Sequence, residues 1–147
     1  MAKTDDVGTF TCDGVSFRYP ENWTLEREDT ENGWTVLLQS PGTAFLMVTL
    51  DREDPDPDQM TDTALQAMRD DYPQLEAEQI VENIAGRPAM GHDLRFFKFD
   101  LLNHCWTRSF ATAGGTILLL GQSTDHEGPI LPQVLQAILV SLVVEEP

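Results

Sequence analysis

Apolar segments and turn-forming residues alternate along the first third of the chain, and this pattern predicts short strands. Val, Leu, Phe and Trp are concentrated in five segments, residues 9–12, 15–19, 23–28, 34–40 and 45–51. Turn-forming groups lie between most of them, namely Asp13-Gly14, Glu31-Asn32-Gly33 and Pro41-Gly42. Short strands joined by such turns indicate an antiparallel meander.

The segment Phe17-Arg18-Tyr19-Pro20, followed by Trp23, predicts a bend between two of these strands. Proline fixes its own φ at about −65° and has no N–H, so it cannot continue a strand ladder. It also keeps the preceding Tyr19 extended. We expect the bend to direct its rings into the core, where burying an aromatic side chain stabilises by roughly 1.5–3 kcal/mol.

The pattern changes from strand to helix in the acidic segment of residues 51–62. Asp56 is predicted to be the N-cap, Pro57 the first helical residue and Gln59 the capping-box partner. Apolar residues then recur at helical spacing: Met60, Ala64, Leu65, Met68 and Tyr72. We therefore expect a helix with one apolar and one acidic face, ending at Pro73.

The rest of the chain predicts a second meander and a final helix. The strands are expected at residues 75–84, 87–99, 104–112 and 116–123, with turns at Gly86 and Gly114-Gly115. An apolar stripe then marks a helix over residues 129–144: Val134, Leu135, Ile138, Leu139 and Leu142. Helices packed against a central antiparallel sheet define the fold class as α+β.

Length and composition suit one compact domain. The chain has 147 residues, of which 41% are hydrophobic and 23% charged. We expect a single domain over residues 1–147, with a flexible N-terminus at residues 1–8. No apolar run approaches the roughly 20 residues of a membrane span, and the first residues lack the basic and apolar regions of a leader, so a cytoplasmic location is expected. Cys12 and Cys105 lack metal-site or redox-motif spacing and are expected to be buried free thiols.

The strong negative charge excludes two classes of partner. The chain has 25 acidic and 9 basic residues, a formal net charge of −16 and a sequence pI of about 4.2. Such a charge repels nucleic acids and anionic membrane surfaces. Eleven of the acidic residues lie between Asp51 and Glu82, which predicts one strongly acidic, solvated side of the molecule.

The sequence does not indicate an enzyme. His104 precedes Cys105 and His92 precedes Asp93, but neighbours on a strand point to opposite faces and cannot act as a base–nucleophile pair. His126 and Glu127 lie in an expected loop, and no nucleophile elbow, phosphate loop or dinucleotide fingerprint is present. A preset catalytic site would require a histidine within hydrogen-bond distance of a carboxylate or thiol in a deep polar cavity.

Metal binding has one candidate, which fails on spacing. Asp54, Asp56 and Asp58 have the alternating acidic pattern of a calcium loop, but Gln59 replaces the required Gly and Leu65 the required Glu. The histidines lack paired spacing for zinc. We therefore expect neither a specific metal site nor a cofactor.

Three short motifs resemble the PsbP-like superfamily. They are Phe17-Arg18-Tyr19-Pro20 with Trp23, then Gly86-Arg87-Pro88-Ala89 at the start of a long strand, then Ser141-Leu142 near the C-terminal end. The superfamily includes photosystem extrinsic subunits, a Ran-binding nuclear-import factor and DcrB-like bacterial proteins, and the chain is most similar to the DcrB-like branch. The resemblance implies an α/β/α sandwich and an adaptor, assembly or accessory role, without catalytic residues to carry over.

The second meander carries the candidate binding residues. If Phe99 lies opposite His104, one face holds Arg95, Phe97, Phe99, His104, Trp106, Arg108 and Phe110. The other face then holds the small residues Cys105, Thr107, Ser109 and Ala111, where a helix can approach closely. Arginine beside tryptophan is enriched at protein interfaces, so Arg95, Trp106 and Arg108 are predicted to form a contact patch.

These observations favour a non-catalytic protein-interaction module, an adaptor or chaperone-like accessory protein that binds another polypeptide. The DcrB-like resemblance leaves open whether the chain also forms a homodimer. The alternative is an accessory protein that binds a small ligand, or a divalent metal weakly, in a pocket between sheet and helix.

Overall fold

The structure, a computed structural model, describes residues 7–125 and 130–145, with only the backbone of residues 130–132. Within these ranges the chain forms ten strands and two helices. Their order is β1 (Val7–Cys12), β2 (Val15–Pro20), β3 (Thr24–Thr30), β4 (Gly33–Gln39), β5 (Phe45–Asp51), α1 (Pro57–Asp71), β6 (Glu76–Ile84), β7 (Arg87–Lys98), β8 (Leu101–Thr112), β9 (Gly115–Thr124), α2 (Ile130–Val140) and β10 (Val143–Val144). Residues 7 and 8, expected in a flexible N-terminus, begin β1, and residues 1–6 lie outside the described part.

Two antiparallel sheets form the molecule. The larger sheet has the order β3-β4-β5-β9-β8-β7-β6, and the smaller sheet has the order β1-β2-β10. Helix α1 packs on one face of the larger sheet, while α2 and the smaller sheet cover the other. The predicted antiparallel sheet with flanking helices is thus present, and the extra three-stranded sheet makes the molecule richer in strand than a balanced α+β sandwich.

The main core lies between the two sheets and α2. Alternate residues of β4 and β5 point into it, among them Trp34, Val36, Val48 and Leu50, which are at most 1% exposed. From α2, Leu135, Ile138 and Leu139 close the same cluster. Buried and less buried positions alternate along β5 and, from Trp34 onward, along β4, which reflects the period-2 geometry of a strand with one face in the core.

The predicted bend at Pro20 is confirmed. The Trp23 N–H donates to the carbonyl of Pro20 at 3.0 Å, so a tight turn joins β2 and β3. Trp23 is 5% exposed in the main core and Phe17 is 2% exposed. Strand β3 begins at Thr24, one residue later than predicted.

Helix α1 has the predicted cap and lies on the predicted row of small residues. The Asp56 carboxylate accepts a hydrogen bond from the Asp58 N–H at 2.9 Å, and Pro57 is the first helical residue. Below the helix, the Ser109 hydroxyl lies 3.9 Å from the Met60 sulfur. Cys105 belongs to a second, smaller core cluster with Leu75, Leu94 and Phe96, against which Leu65, Met68 and Tyr72 of the helix side pack.

The predicted C-terminal helix is too long. Helix α2 ends at Val140, and Val143–Val144 forms a short strand paired with Ser16 and Val15 of β2. Ser141 stabilises the change of direction, because its hydroxyl donates to the carbonyl of Ile138 at 2.7 Å and accepts from the Arg18 N–H at 2.8 Å. Pairing with β2 therefore replaces the last helical turn.

The predicted register of the β7–β8 hairpin is also wrong. Lys98 pairs with Leu101 and Arg95 with His104, so the turn is only Phe99-Asp100. Both turn residues have left-handed backbone, with φ of 52° and 61°. The predicted register was off by an even number of residues, so the strand faces are as predicted, and only Phe99 leaves its face for the turn.

Candidate functional site

An open groove of about 1040 Å³ lies over β6, β7 and β8 on the α2 side of the larger sheet. We call it the α2 groove, because Leu135, Gln136 and Leu139 of α2 form one wall. Its floor consists of alternate residues of the strands, which period-2 geometry directs to one face. The polar and aromatic members of that floor are Glu76, Glu78, Glu82, Asp93, Arg95, His104, Trp106 and Arg108.

The structure brings together the three residues predicted to form a contact patch. Arg95, Trp106 and Arg108 all line the α2 groove. Register explains the arrangement: Arg95 lies opposite His104, and Trp106 lies opposite Asp93 on the neighbouring strand. That these residues bind a partner stays a prediction.

Arg108 organises the groove floor from a buried position. Its side chain is 8% exposed, and its Nε donates to Glu82 Oε2 at 2.5 Å while Nη2 donates to Asp93 Oδ1 at 2.8 Å. Nη1 donates to the carbonyls of Thr107 at 2.8 Å and His92 at 3.2 Å. Through these hydrogen bonds Arg108 of β8 holds the carboxylates of Glu82 on β6 and Asp93 on β7 in place, and so links the three strands.

Arg95 and Trp106 are more accessible than Arg108. The Arg95 side chain is 58% exposed and its Nη2 donates to Glu76 Oε1 at 3.1 Å. Trp106 is half-buried, and its indole lies across Gly121, where an added Cβ would come within 2.4 Å of the ring. Because glycine has no side chain, the Trp106 ring can pack flat against β9 at this position, next to the groove.

His104 meets a carboxylate at the groove rim, which was not predicted. Its Nε2 lies 2.8 Å from Asp125 Oδ1, and the two side chains are 41% and 60% exposed. His104 lies opposite Ser123 on β9, two residues before Asp125, so the pairing register of β8 and β9 brings the two side chains together. The sequence alone did not indicate that register. The pair lies at an exposed rim and not in a deep cavity.

The thiol beside His104 is directed away from it, as the strand geometry predicted. Cys105 is 1% exposed on the α1 side, and burial raises the pKa of its thiol to about 12. His92 and Asp93 likewise lie on opposite faces, with His92 over Thr107 on the α1 side. The candidate pair His126 and Glu127 lies outside the described residues.

The groove has an excess of negative charge. Its five carboxylates exceed its two arginines by three: Glu76, Glu78, Glu82, Asp93 and Asp125. Glu76 and Glu82 pair with arginines, whereas Glu78 lies directly opposite Asp93. Across the part of the chain that the structure describes, no three His, Cys, Asp or Glu side chains are placed to hold a metal ion.

A second exposed surface adjoins the groove at the end of the β7–β8 hairpin. Phe97 is 70% exposed, Phe99 87% and Leu101 39%, and we call these three residues the hairpin tip. A cavity of about 560 Å³ beside it is lined by Tyr72, Pro73, Phe96, Phe97 and Leu102, among others, and shares Glu76 and Arg95 with the α2 groove. An aromatic surface thus continues directly into an acidic one.

Comparison with known proteins shows the fold and no closer relationship. No family model matches the chain, and neither does any curated protein. Among solved structures, cyanobacterial PsbP (CyanoP) from Synechocystis is 13% identical with a TM-score of 0.66, covering 97% of this chain and 95% of that one. LpqN of Mycobacterium tuberculosis, described as involved in cell envelope biogenesis, is 15% identical with a TM-score of 0.55, covering 97% and 87%.

A structure from Bacteroides thetaiotaomicron is 12% identical with a TM-score of 0.64 and covers 96% of this chain. The chain spans about half of that protein, 49% of its length. The chain therefore has the PsbP-like fold that its motifs suggested. No helix in residues 7–125 or 130–145 is long and apolar enough to cross a membrane.

Proposed function

We propose that the protein is a non-catalytic accessory protein that binds another polypeptide through the hairpin tip. The exposure of Phe97 and Phe99, 70% and 87%, carries this proposal. Exposure of a large aromatic side chain to water is unfavourable, and burying it in an interface supplies much of the binding energy. Two of them on one hairpin, with a cavity beside them, form an apolar anchor for a partner.

The backbone of the turn supports the same function. Phe99 has a φ of 52°, a region that a bulky residue rarely occupies and that Asn or Gly would occupy with less strain. The turn keeps the ring away from the core, because its two residues project beyond the last strand pair, Lys98 and Leu101. The Lys98 ammonium lies 5.7 Å from the Phe99 ring centroid, so a cation already contacts this surface.

The comparisons agree with an accessory role without specifying it. CyanoP and LpqN share the fold at low identity, and LpqN is described as involved in cell envelope biogenesis. The location of this chain belongs to the same proposal: we take it to act in the cytoplasm, and fractionation of the source cells with an antibody would test that.

Capture from lysate tests the proposal when it is combined with matched variants. The full chain is immobilised and exposed to lysate of its own cells, in parallel with Phe97→Ser/Phe99→Ser and with Val140→Ser. Val140 is 77% exposed on α2, so its variant removes an exposed apolar side chain elsewhere. We expect one polypeptide to be captured by the wild type and by Val140→Ser but not by the double variant.

The captured polypeptide is then purified and titrated against the three proteins. Equal affinity for the wild type and the double variant would overturn the proposal, as would the absence of any captured polypeptide. Sedimentation over a range of concentrations gives the oligomeric state, and a homodimer lost in the double variant would identify the partner as a second copy.

A small-ligand function is the second candidate, because the α2 groove has about 1040 Å³, the upper end of the range for ligand sites. A saturating ligand at about 100 times its dissociation constant would stabilise the fold by about 2.7 kcal/mol. A thermal-shift screen of metabolites and divalent metals, repeated with Trp106→Ala, measures this.

A further inference from the structure

The outer edge of β6 is open. In the order of the larger sheet β6 is the last strand, and none of the described residues pairs with its outer side. The two-residue turn Ala85-Gly86, with φ of 53° and 75°, makes Ile84 and Arg87 a hydrogen-bonded pair. In an antiparallel ladder the bonded pairs then recur at every second residue, so the even-numbered residues of β6 bond β7. The backbone N–H and C=O groups of four residues therefore point outward: Ala77, Gln79, Val81 and Asn83.

The charges along this edge favour a basic partner. Glu76, Glu78 and Glu82 all lie on the groove side of β6. Glu78 lies directly opposite Asp93, and like charges in this position destabilise a sheet. Arg108 binds the Asp93 carboxylate, but Glu78 makes no ion pair with any residue that the structure describes. A cation brought by a partner would relieve this repulsion.

We propose that the outer edge of β6 accepts an extended, basic polypeptide segment as an eighth strand of the larger sheet. Its backbone bonds the four outward-facing residues, and alternate lysine or arginine side chains meet the glutamate row along the α2 groove. The side chains between them lie on the other face, where Val81 is 70% exposed. The partner is a polypeptide, as in the proposed function, but it is bound by a different surface from the hairpin tip.

A second copy of the chain does not fit this edge. Antiparallel pairing of two β6 strands would place glutamates against glutamates in two molecules of formal net charge −16. The other outer strand of the sheet, β3, has only two glutamates on one face, Glu26 and Glu28, and its other face holds Arg27 paired with Asp29, so it offers a shorter acidic row.

The test uses an N-acetylated nine-residue peptide of alternating lysine and valine and the full-length protein labelled with ¹⁵N. On peptide addition we expect slower amide hydrogen exchange at Ala77, Gln79, Val81 and Asn83, with smaller changes at the even-numbered residues between them. A peptide of alternating glutamate and valine should not bind. The lysine peptide N-methylated on the edge that would face β6 should also fail to bind, because it lacks the donor N–H groups.

Matched variants separate edge binding from general attraction to an acidic protein. Glu78→Lys and Glu26→Lys change the net charge equally, on opposite edges of the sheet. We expect Glu78→Lys to weaken binding of the lysine peptide by about tenfold or more and Glu26→Lys by about twofold or less. Equal effects of the two variants, or protection of amides elsewhere than in β6, would overturn the inference.

The hairpin tip provides the distinction from the proposed function. Phe97→Ser/Phe99→Ser leaves β6 unchanged, so it should bind the lysine peptide as the wild type does. Loss of partner capture in that variant together with retained peptide binding supports both proposals. Retained capture with retained peptide binding overturns only the function assigned to the tip, and absent peptide binding in the wild type overturns only the inference about β6.

Discussion

Trp34 donates a hydrogen bond from its indole Nε1 to Asp13 Oδ2 at 2.9 Å and so joins the two sheets. Trp34 is fully buried on β4, whereas Asp13 lies in the β1–β2 turn with a φ of 52°. Arg52 donates to the same carboxylate oxygen through Nη2. One turn residue therefore satisfies the only polar atom of a buried core side chain and receives a charge partner from the segment after β5.

The Asp13–Trp34 bond predicts different effects for two substitutions. Asp13→Ala leaves the buried indole N–H without an acceptor and places alanine in a left-handed conformation, so we expect a loss of about 2–3 kcal/mol in the free energy of unfolding. Asp13→Asn keeps an acceptor and tolerates that conformation, so it should lose less than half as much. Urea denaturation at pH 7 measures both, and equal losses would contradict the assignment.

The same carboxylate predicts a pH dependence. The Trp34 hydrogen bond, and then the Arg52 hydrogen bond and charge, hold the pKa of Asp13 below its ordinary value of 3.8. Folding thus favours the ionised form, and this stabilisation is complete above 3.8 and is lost as the pH falls through the lower folded value. The stability difference between the wild type and Asp13→Asn should be constant above about pH 5 and should shrink below 3.8.

Replacement of the two arginines of the groove should change stability by different amounts. Arg108→Met leaves the carbonyls of Thr107 and His92 without their donor and separates Glu82 from its partner, so we expect a loss of roughly 2–3 kcal/mol. Arg108→Lys should not restore it, because an ammonium cannot make the branched contacts. Arg95→Met breaks only an exposed pair and should change stability by less than about 1 kcal/mol. Similar losses in both methionine variants would show that the Arg108 contacts do not hold the strands.

Cys105 and Cys12 should differ in reactivity. Burial raises the pKa of the Cys105 thiol to about 12, so at pH 8 only about one molecule in ten thousand is the thiolate. Cys12 lies at the end of β1 and is only partly buried, not fully buried as expected from the sequence. Its partial burial and the Asp13 charge also raise the pKa of its thiol. A disulfide exchange reagent should modify one thiol per native chain and two in urea, and Cys12→Ser should leave the native protein unreactive. Rapid modification of two thiols in the native state would show that α1 opens over Cys105.

Trp23 tests the interpretation of the bend at Pro20. Because Trp23 is 5% exposed in the main core, Trp23→Ala should lose about 3–5 kcal/mol and broaden the unfolding transition. Trp106→Ala removes the same side chain from a half-buried position on the groove floor and should lose clearly less. A stable Trp23→Ala protein that had lost only partner binding would contradict the structural role of the bend.

The turns and caps could be predicted from the sequence because their chemistry is local. Asp13-Gly14, Pro20 and Asp56 each carry their own backbone preference, and the structure places all of them as expected. Val143 and Val144 continue an apolar helical pattern, and only the partner strand β2 decides that they pair as a strand. Such a tertiary preference is not visible in a local pattern.

In the candidate site, too, some features could be predicted from the sequence and others depend on tertiary contacts. Period-2 alternation placed Arg95, Trp106 and Arg108 on one face, but spacing alone does not reveal that Arg108 is buried between two carboxylates. The pairing of His104 with Asp125 depends on the β8–β9 register, which no sequence pattern fixed. Phe99-Asp100 contains neither Gly nor Asn, and Asp100 is its one turn-favouring residue, so the sequence carried only a weak signal for the tight turn that exposes Phe99.

Phe99 and Phe96 should separate binding from stability within one hairpin. Phe99→Asn relieves a left-handed phenylalanine and removes an 87% exposed ring, so we expect stability to rise by up to about 1 kcal/mol while partner binding weakens. Phe96 is 4% exposed and its ring stacks on that of Tyr72 with the ring centroids 4.2 Å apart, so Phe96→Ser should unfold the region under α1. Thermal denaturation and titration with the captured polypeptide measure the two effects. A Phe99→Asn protein that is less stable than the wild type would mean that the ring supports the fold. That result would contradict the proposal that the hairpin tip is a binding surface.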